Sequence, residues 1–182
     1  YLESSSRANR ARLREARGDI EGALEDTRLA ASLARNAGDP QELLPQLGNA
    51  VAMFEAHGSS DEARTLTREV VELARVHPAD AVWSLQLDFL FSRLPAEHDA
   101  DLREVLEAAP PWPWKEVGFA CLDRDFVRAA EMWAEAGAPT WEARLRLRAA
   151  EELTEMGRRA EAAEQAQRAL EFYRSVRATY YV

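Results

Sequence analysis

The chain has 182 residues, of which 47% are apolar and 30% charged, and its eight Gly and eight Pro are too few for a disordered or loop-rich protein. Its apolar runs are too short to span a bilayer, and no basic start precedes an apolar block, so we expect no membrane span, no signal peptide and a cytoplasmic location. The net charge of −9, without a continuous basic stripe, argues against direct binding of DNA or RNA.

The first residue and the cysteine content indicate the context of the chain. The sequence begins with Tyr1 rather than Met, so we expect it to be a piece of a longer protein. Cys121 has no second cysteine with which to form an internal disulfide, which fits a reducing compartment. Negative charge is concentrated in residues 41–110, which contain five Arg and thirteen acidic residues.

Helical periodicity runs through almost the whole chain. Apolar residues recur at spacings of three and four, and period-two alternation is absent. Gly, Pro and polar breakers divide the sequence into about ten helices, which pair into five hairpins. The predicted hairpins span residues 3–36, 41–76, 79–109, 112–136 and 140–176.

The turns of three hairpins share a pattern of small residues. Each turn glycine ends one helix, and an alanine five residues later marks where the next helix crosses the first closely. Asp19 is expected to cap the helix after the first turn, and Ser59 or Ser60 the helix after the second. The Gly–Ala pairs are Gly18–Ala23, Gly58–Ala63 and Gly157–Ala162.

The middle of the chain departs from this pattern. The third hairpin, with helices at about 79–93 and 99–109, has no turn glycine, and we expect an irregular turn near Pro95. The fourth hairpin is short, begins after Trp112-Pro113-Trp114, and is expected to have a second irregular turn at Asp123-Arg124.

The second hairpin resembles a tetratricopeptide repeat (TPR). It has the family's pattern of large, small and aromatic positions followed by Gly and Ala: Leu47, Ala50, Val51, Phe54, Gly58, Ala63 and Val70. The first hairpin departs from the pattern at Arg14, which stands at the aromatic position and suggests an atypical end repeat. The resemblance implies an all-α, TPR-like helical-hairpin solenoid with a right-handed superhelix, in a single domain over residues 1–182.

A narrower resemblance covers the second half of the chain. The segments Pro111-Trp112-Pro113-Trp114, Trp133–Pro139 and Gly157–Ala162 look like the C-terminal TPR tails of large actinobacterial regulators. Those regulators combine an AAA/STAND-type ATPase with a nucleotide-cyclase, LuxR-type or SARP-type domain. The resemblance implies a tail that senses, scaffolds or restrains, with the ATPase and output domains elsewhere.

Candidate binding residues follow from the TPR resemblance. The inner surface of such repeats is lined mainly by the first helix of each pair; the alternative is that these residues only solvate a concave wall. Trp112 and Trp114 are a candidate hydrophobic docking patch, with packing of an irregular hairpin as the alternative. The candidate groove residues are Asn9, Arg12, Asn49, Ala52, Arg148 and Glu151.

Catalytic and metal-binding patterns are weak. The sequence has no Gly-rich phosphate loop, GxSxG or HExxH motif. The three histidines, His57, His77 and His98, stand at predicted helix ends, where C-terminal capping competes with a metal or acid–base role. Acid groups such as Glu151, Glu152 and Glu155 are expected to be solvated or locally paired, and Cys121 to be buried. We therefore expect no catalytic residue, no metal and no cofactor.

These observations predict a non-enzymatic interaction module of a cytoplasmic signalling or transcriptional regulator. Its partners would be a protein, a peptide or other domains of the parent chain. The alternative is a small-ligand or peptide sensor that controls a parent ATPase. A third alternative is an enzyme built on helical repeats.

Overall fold

The computed structural model describes residues 2–78, 80, 99–112 and 114–177. Every helix or strand assigned within these ranges is α-helical, which confirms the all-α prediction. The predicted helix at 79–93 (except residue 80), the turn at Pro95 and His98 lie outside the described residues. The helices are α1 (Leu2–Ala16), α2 (Ile20–Ala37), α3 (Pro40–Ala56), α4 (Ser60–Val76), α5 (Asp99–Ala108), α6 (Lys115–Leu122), α7 (Phe126–Glu135), α8 (Pro139–Glu155) and α9 (Arg159–Ser175).

The chain divides into two compact units, Tyr1–Lys115 and Glu116–Val182, and each is described by itself. In the first unit, α1 packs on α2, α3 on α4, and α2 on α3. In the second unit, α8 packs on both α7 and α9. Consecutive helices therefore pack together within α1–α4 and within α7–α9, as expected of helical hairpins. The single domain over residues 1–182 stays a prediction.

The hairpin turns share one backbone geometry. Gly18 has φ +80°, and the next N–H, of Asp19, donates to the carbonyl of Arg14 at 2.9 Å. Gly58 and Gly157 have φ +77° and +76°, with the same bond from the following residue. Only glycine reaches this left-handed region without strain, which explains its recurrence at these turns.

The turn at Asp123-Arg124 corrects one prediction. Arg124 has φ +56°, and the N–H of Asp125 donates to the carbonyl of Ala120 at 2.9 Å, so the turn has the geometry of the glycine turns. The prediction of an irregular turn here is wrong. A residue with a Cβ takes the left-handed position that glycine has elsewhere, which a sequence pattern based on glycine does not detect.

Of the two predicted N-caps, that of α2 is confirmed and that of α4 is wrong. The side chain of Asp19 accepts from the N–H of Gly22 at 3.0 Å, which confirms it as the cap of α2. Ser59 stands at the cap position of α4 but forms no capping hydrogen bond through its side chain, and Ser60 is already in the helix. The expected hydroxyl cap of α4 is therefore wrong.

The hairpins α1–α2 and α3–α4 stack in parallel. Hydrogen bonds from Ser5 to Glu42 and from Arg12 to Asn49 join α1 to α3, and both span 37 residues. Bonds from Arg28 to Glu62 and from Arg35 to Glu69 join α2 to α4, and both span 34 residues. In both pairs, a step of seven residues along one helix is matched by a step of seven residues in the same direction along its partner. The paired helices are therefore parallel.

The alanines predicted at the helix crossings are buried. Ala23, Ala63 and Ala162 are at most 6% exposed, so small residues stand at each predicted helix crossing. Cys121 is buried, as predicted. Trp133 is also buried and stacks on Trp141, with ring centroids 5.9 Å apart.

Candidate functional site

A small cleft lies where α1, α2 and α3 meet in the first unit. Its cavity volume is about 20 Å³, which holds one water-sized group. Three alanines and Met53 form the apolar half of its lining, and the other half is polar. The lining residues are Ala8, Ala11, Arg12, Thr27, Ala30, Gln46, Asn49 and Met53.

Two predicted groove residues meet at this cleft. The Arg12 guanidinium donates through Nη2 to Oδ1 of Asn49 at 2.6 Å. Arg12 is exposed and Asn49 half-buried, so the pair stands at the surface of the cleft. Arg12 comes from α1 and Asn49 from α3, and the parallel stacking of the two hairpins is what brings them together.

Gln46 is a buried polar residue of the cleft, and it was not predicted from the sequence. Its side chain is 7% exposed, and Nε2 donates to Oε1 of Glu42 at 3.4 Å. Oε1 of Gln46 has no hydrogen-bond partner within the described residues. Glu42 also accepts from the Ser5 hydroxyl at 2.9 Å. The signal available in the sequence was the spacing of Glu42, Gln46 and Asn49, which places them on one face of α3.

The other groove candidates lie apart from the cleft lining. Asn9 is exposed on α1, one turn before Arg12. Ala52 is 3% exposed and offers almost no surface to a ligand. The structure therefore joins Arg12 with Asn49 and does not join Asn9 or Ala52 to them.

Arg148, in the second unit, is engaged by its neighbours. Its Nη1 lies 3.2 Å from Oε2 of Glu151, and its Nη2 lies 3.2 Å from Oε2 of Glu152. Its guanidinium also lies over the ring of Phe126, 5.2 Å from the centroid. The predicted pair of Arg148 and Glu151 is thus one part of a local cluster.

Trp112 and Trp114, the predicted docking patch, are both half-buried. The carbonyl of Trp112 accepts from the N–H of Lys115 at 3.1 Å, and Lys115 donates through Nζ to the carbonyl of Ala109 at 2.9 Å. Both indoles therefore offer only part of their surface to a partner.

The described histidines stand at helix ends, as predicted. His57 is the C-cap of α3, and its Nε2 lies 2.8 Å from Oε1 of Glu15. His77 is the C-cap of α4, with Nδ1 3.8 Å from Oδ2 of Asp80. Across the described ranges, no three His, Cys, Asp or Glu side chains form a group that could hold a metal ion.

A buried carboxylate lies between α1 and α2. The side chain of Asp26 is 2% exposed and receives donors from three arginines of α1. Arg10 binds both carboxylate oxygens, Arg14 lies 3.0 Å from Oδ2 and Arg7 3.4 Å from Oδ1. The hydrogen bonds from Arg10 lower the pKa of Asp26, against the opposing effect of burial.

A second set of ion pairs connects α2 with α4. The guanidinium of Arg28 donates to both oxygens of Glu62 at 2.7 Å and lies over the Phe54 ring, 5.4 Å from its centroid. The hydrogen bond from Arg28 lowers the pKa of Glu62 and raises that of Arg28. Arg35 binds Glu69 in the same two-pronged manner.

Comparisons with known proteins do not indicate a function, so the function is inferred from the sequence and the geometry of the chain. No protein-family model matches the chain, and no curated protein matches it. None of the described helices combines the length and apolar character needed to cross a membrane.

Proposed function

We propose that this chain is a TPR-like interaction module that binds an extended peptide segment at the cleft between α1 and α3. The segment belongs to a partner protein or to another domain of a longer cytoplasmic regulator. The TPR resemblance, the parallel stacking of the first two hairpins and the chemistry of the cleft support this proposal.

The observation that carries the proposal is the unpaired Oε1 of Gln46. A buried acceptor without a donor costs about 1–3 kcal/mol, and a ligand that supplies a donor recovers part of this cost. The guanidinium of Arg12 and the amide of Asn49 stand on the same cleft and carry donors. Donors and acceptors side by side match the N–H and C=O groups of a peptide backbone.

The size of the cleft favours a peptide over a metabolite at this position. Pockets for small molecules enclose roughly 300–1,000 Å³. The cleft has a volume of about 20 Å³, so it admits one small group of a larger ligand whose remainder lies across the surface. The small-ligand alternative would therefore need a different site.

The proposal can be tested by selecting peptides from a random display library against the whole chain. We expect the enriched peptides to bind Gln46→Leu about tenfold more weakly than the wild type, because the buried acceptor is lost. Gln167→Leu, which changes an exposed glutamine of α9, is the matched control and should bind as the wild type does.

Two results would contradict the proposal. One is a selection that enriches no peptide above background. The other is a set of peptides whose affinity is the same for Gln46→Leu and the wild type, with circular dichroism showing that the variant is folded.

A further inference from the structure

Equivalent positions on the second helix of several hairpins carry arginine. The positions lie ten and seventeen residues after the turn glycine. The spacing of seven places both on one side of the helix, two turns apart. Five of the six residues are arginine: Arg28 and Arg35 on α2, Arg68 and Arg75 on α4, and Arg174 on α9, where the sixth is Gln167.

In the first unit, three of these arginines bind carboxylates of a later helix. Arg28 and Arg35 bind Glu62 and Glu69 of α4. Arg75 binds Asp101 at 2.7 Å and Glu104 at 2.9 Å, both on α5. Arg68 forms no ion pair among the described residues. The side chains at these positions therefore reach forward along the chain to acidic residues of a following helix.

The same edge of α9 is more exposed than its equivalents on α2 and α4. Arg174 is exposed and forms no ion pair within the described residues. Leu170 is half-buried, whereas its equivalents Ala31 and Val71 are 3% and 4% exposed. Ala166 is also half-buried, although both of its equivalents, Thr27 and Thr67, are buried. We call Ala166, Leu170 and Arg174 the α9 edge.

The residues that follow α9 and α2 share one backbone feature. Arg177 has φ +56°, and the equivalent residue after α2, Gly38, has φ +68°. After Gly38 the chain turns into α3, the first helix of the hairpin that supplies Glu62 and Glu69. Arg177 and Gly38 thus share a left-handed backbone conformation at the equivalent position after the second helix of their hairpins.

We infer that the α9 edge binds a further helical hairpin whose second helix presents a carboxylate to Arg174. This surface is separate from the peptide site proposed above. Charge complementarity selects the occupant, because each paired arginine at these positions binds an acidic residue. In a second copy of this chain, the hairpin that carries Glu62 and Glu69 is already paired with α2, which leaves its first hairpin to supply the carboxylates. At the positions of Glu62 and Glu69, its first hairpin has Gly22 and Leu29.

The hairpin at residues 38–77 is a suitable probe, since it already stacks on the equivalent edge of α2. We would fuse a second copy of it to the full chain after Val182 through a flexible Gly/Ser linker, which gives an effective concentration of about 1 mM. With a dissociation constant near 0.1 mM, amide hydrogen exchange in α9 should slow by about tenfold relative to the unfused chain.

Reversing the two charges then tests the pairing of Arg174 with Glu69 of the fused copy. Arg174→Glu should remove most of the added protection, because it places like charges opposite each other. Glu69→Arg in the fused copy should restore the protection. Arg168→Glu is the matched control, since Arg168 is an exposed arginine of α9 at the position equivalent to Glu69.

Three outcomes would overturn the inference. The first is an absence of added protection in the fusion. The second is an equal loss with Arg174→Glu and Arg168→Glu. The third is an unfused chain that forms dimers in sedimentation and dissociates on Arg174→Glu, which would make a second copy the occupant of the edge.

Discussion

The first and last hairpins place charged side chains at the same internal layer, where the second hairpin is apolar. Eleven residues before and eight residues after the turn glycine, the first hairpin has Arg7 and Asp26, and the last has Arg146 and Gln165. Their equivalents in the second hairpin are both leucine, and both are buried: Leu47 and Leu66. One backbone arrangement therefore accepts an ion pair, an arginine–glutamine pair or two leucines at this layer.

The two charged layers differ in which partner is buried. In the first hairpin the carboxylate of Asp26 is buried, while the side chains of Arg7 and Arg10 are 30% and 47% exposed. Long arginine stems cover apolar surface and leave the charge partly hydrated. The acid in turn receives several donors, so the layer is well satisfied.

In the last hairpin the arginine itself is buried. The side chain of Arg146 is 1% exposed, Nε donates to Glu142 at 2.6 Å and Nη1 donates to Gln165 at 2.7 Å. Nη2 has no hydrogen-bond partner within the described residues. The guanidinium has five N–H donors, and this layer does not supply enough acceptors for them. The comparison indicates that a buried acid is easier to satisfy here than a buried arginine.

The largest expected effect is that of removing the buried acid. Asp26→Ala leaves three arginines without their common acceptor, and we expect a loss of about 3 kcal/mol in the free energy of unfolding. Urea titration measures the loss, and hydrogen exchange should place it in α1 and α2. Glu25→Ala, at the exposed neighbouring residue, is the control and should change stability by less than about 0.5 kcal/mol. A loss below 1 kcal/mol for Asp26→Ala would contradict this account of the layer.

Acid should weaken the first hairpin through the same group. Because the folded state lowers the pKa of Asp26, its stabilising contribution is present above the unfolded pKa of about 3.9 and is lost as pH falls through the folded value. We therefore expect the loss below about pH 4. Urea titrations between pH 2 and 6 should show a smaller pH dependence for Asp26→Ala than for the wild type. Equal pH dependence of the two proteins would show that Asp26 is not the titrating group.

The exposed pairs between α2 and α4 should contribute least. Glu62→Gln and Glu69→Gln each remove one half-exposed ion pair, and we expect losses of about 0.5 kcal/mol that shrink in 1 M salt. Thermal unfolding at low and high salt measures both effects. A loss above about 2 kcal/mol from either change would mean that these pairs, rather than the buried layer, hold the hairpins together.

The helices and most turns were predictable because they depend on local chemistry. Spacing of apolar residues gives the helices, and the conformational freedom of glycine marks the turns at Gly18, Gly58 and Gly157. The turn at Arg124 was not predictable in this way, since the surrounding hairpin holds a residue with a Cβ in the left-handed region.

The charged layer and the cleft depend on tertiary contacts. Arg14 departs from the repeat pattern, and the structure gives the reason: its Nη1 donates to the carbonyl of Gly22 at 2.9 Å and lies 3.0 Å from Asp26. Gln46 becomes a site residue only because the face of α3 that carries it turns towards α1. Neither relation can be read from spacing within one helix.

The equivalence of the two hairpin layers is tested most directly by giving the last hairpin the leucines of the second. Arg146→Leu with Gln165→Leu should raise the free energy of unfolding by about 1–2 kcal/mol, because two well-packed apolar residues replace a buried and incompletely paired charge. Gln165→Leu alone should lower it, since Arg146 then loses an acceptor. If the double variant is less stable than the wild type by the sum of the losses for Arg146→Leu and Gln165→Leu, the layers are not equivalent and the comparison fails.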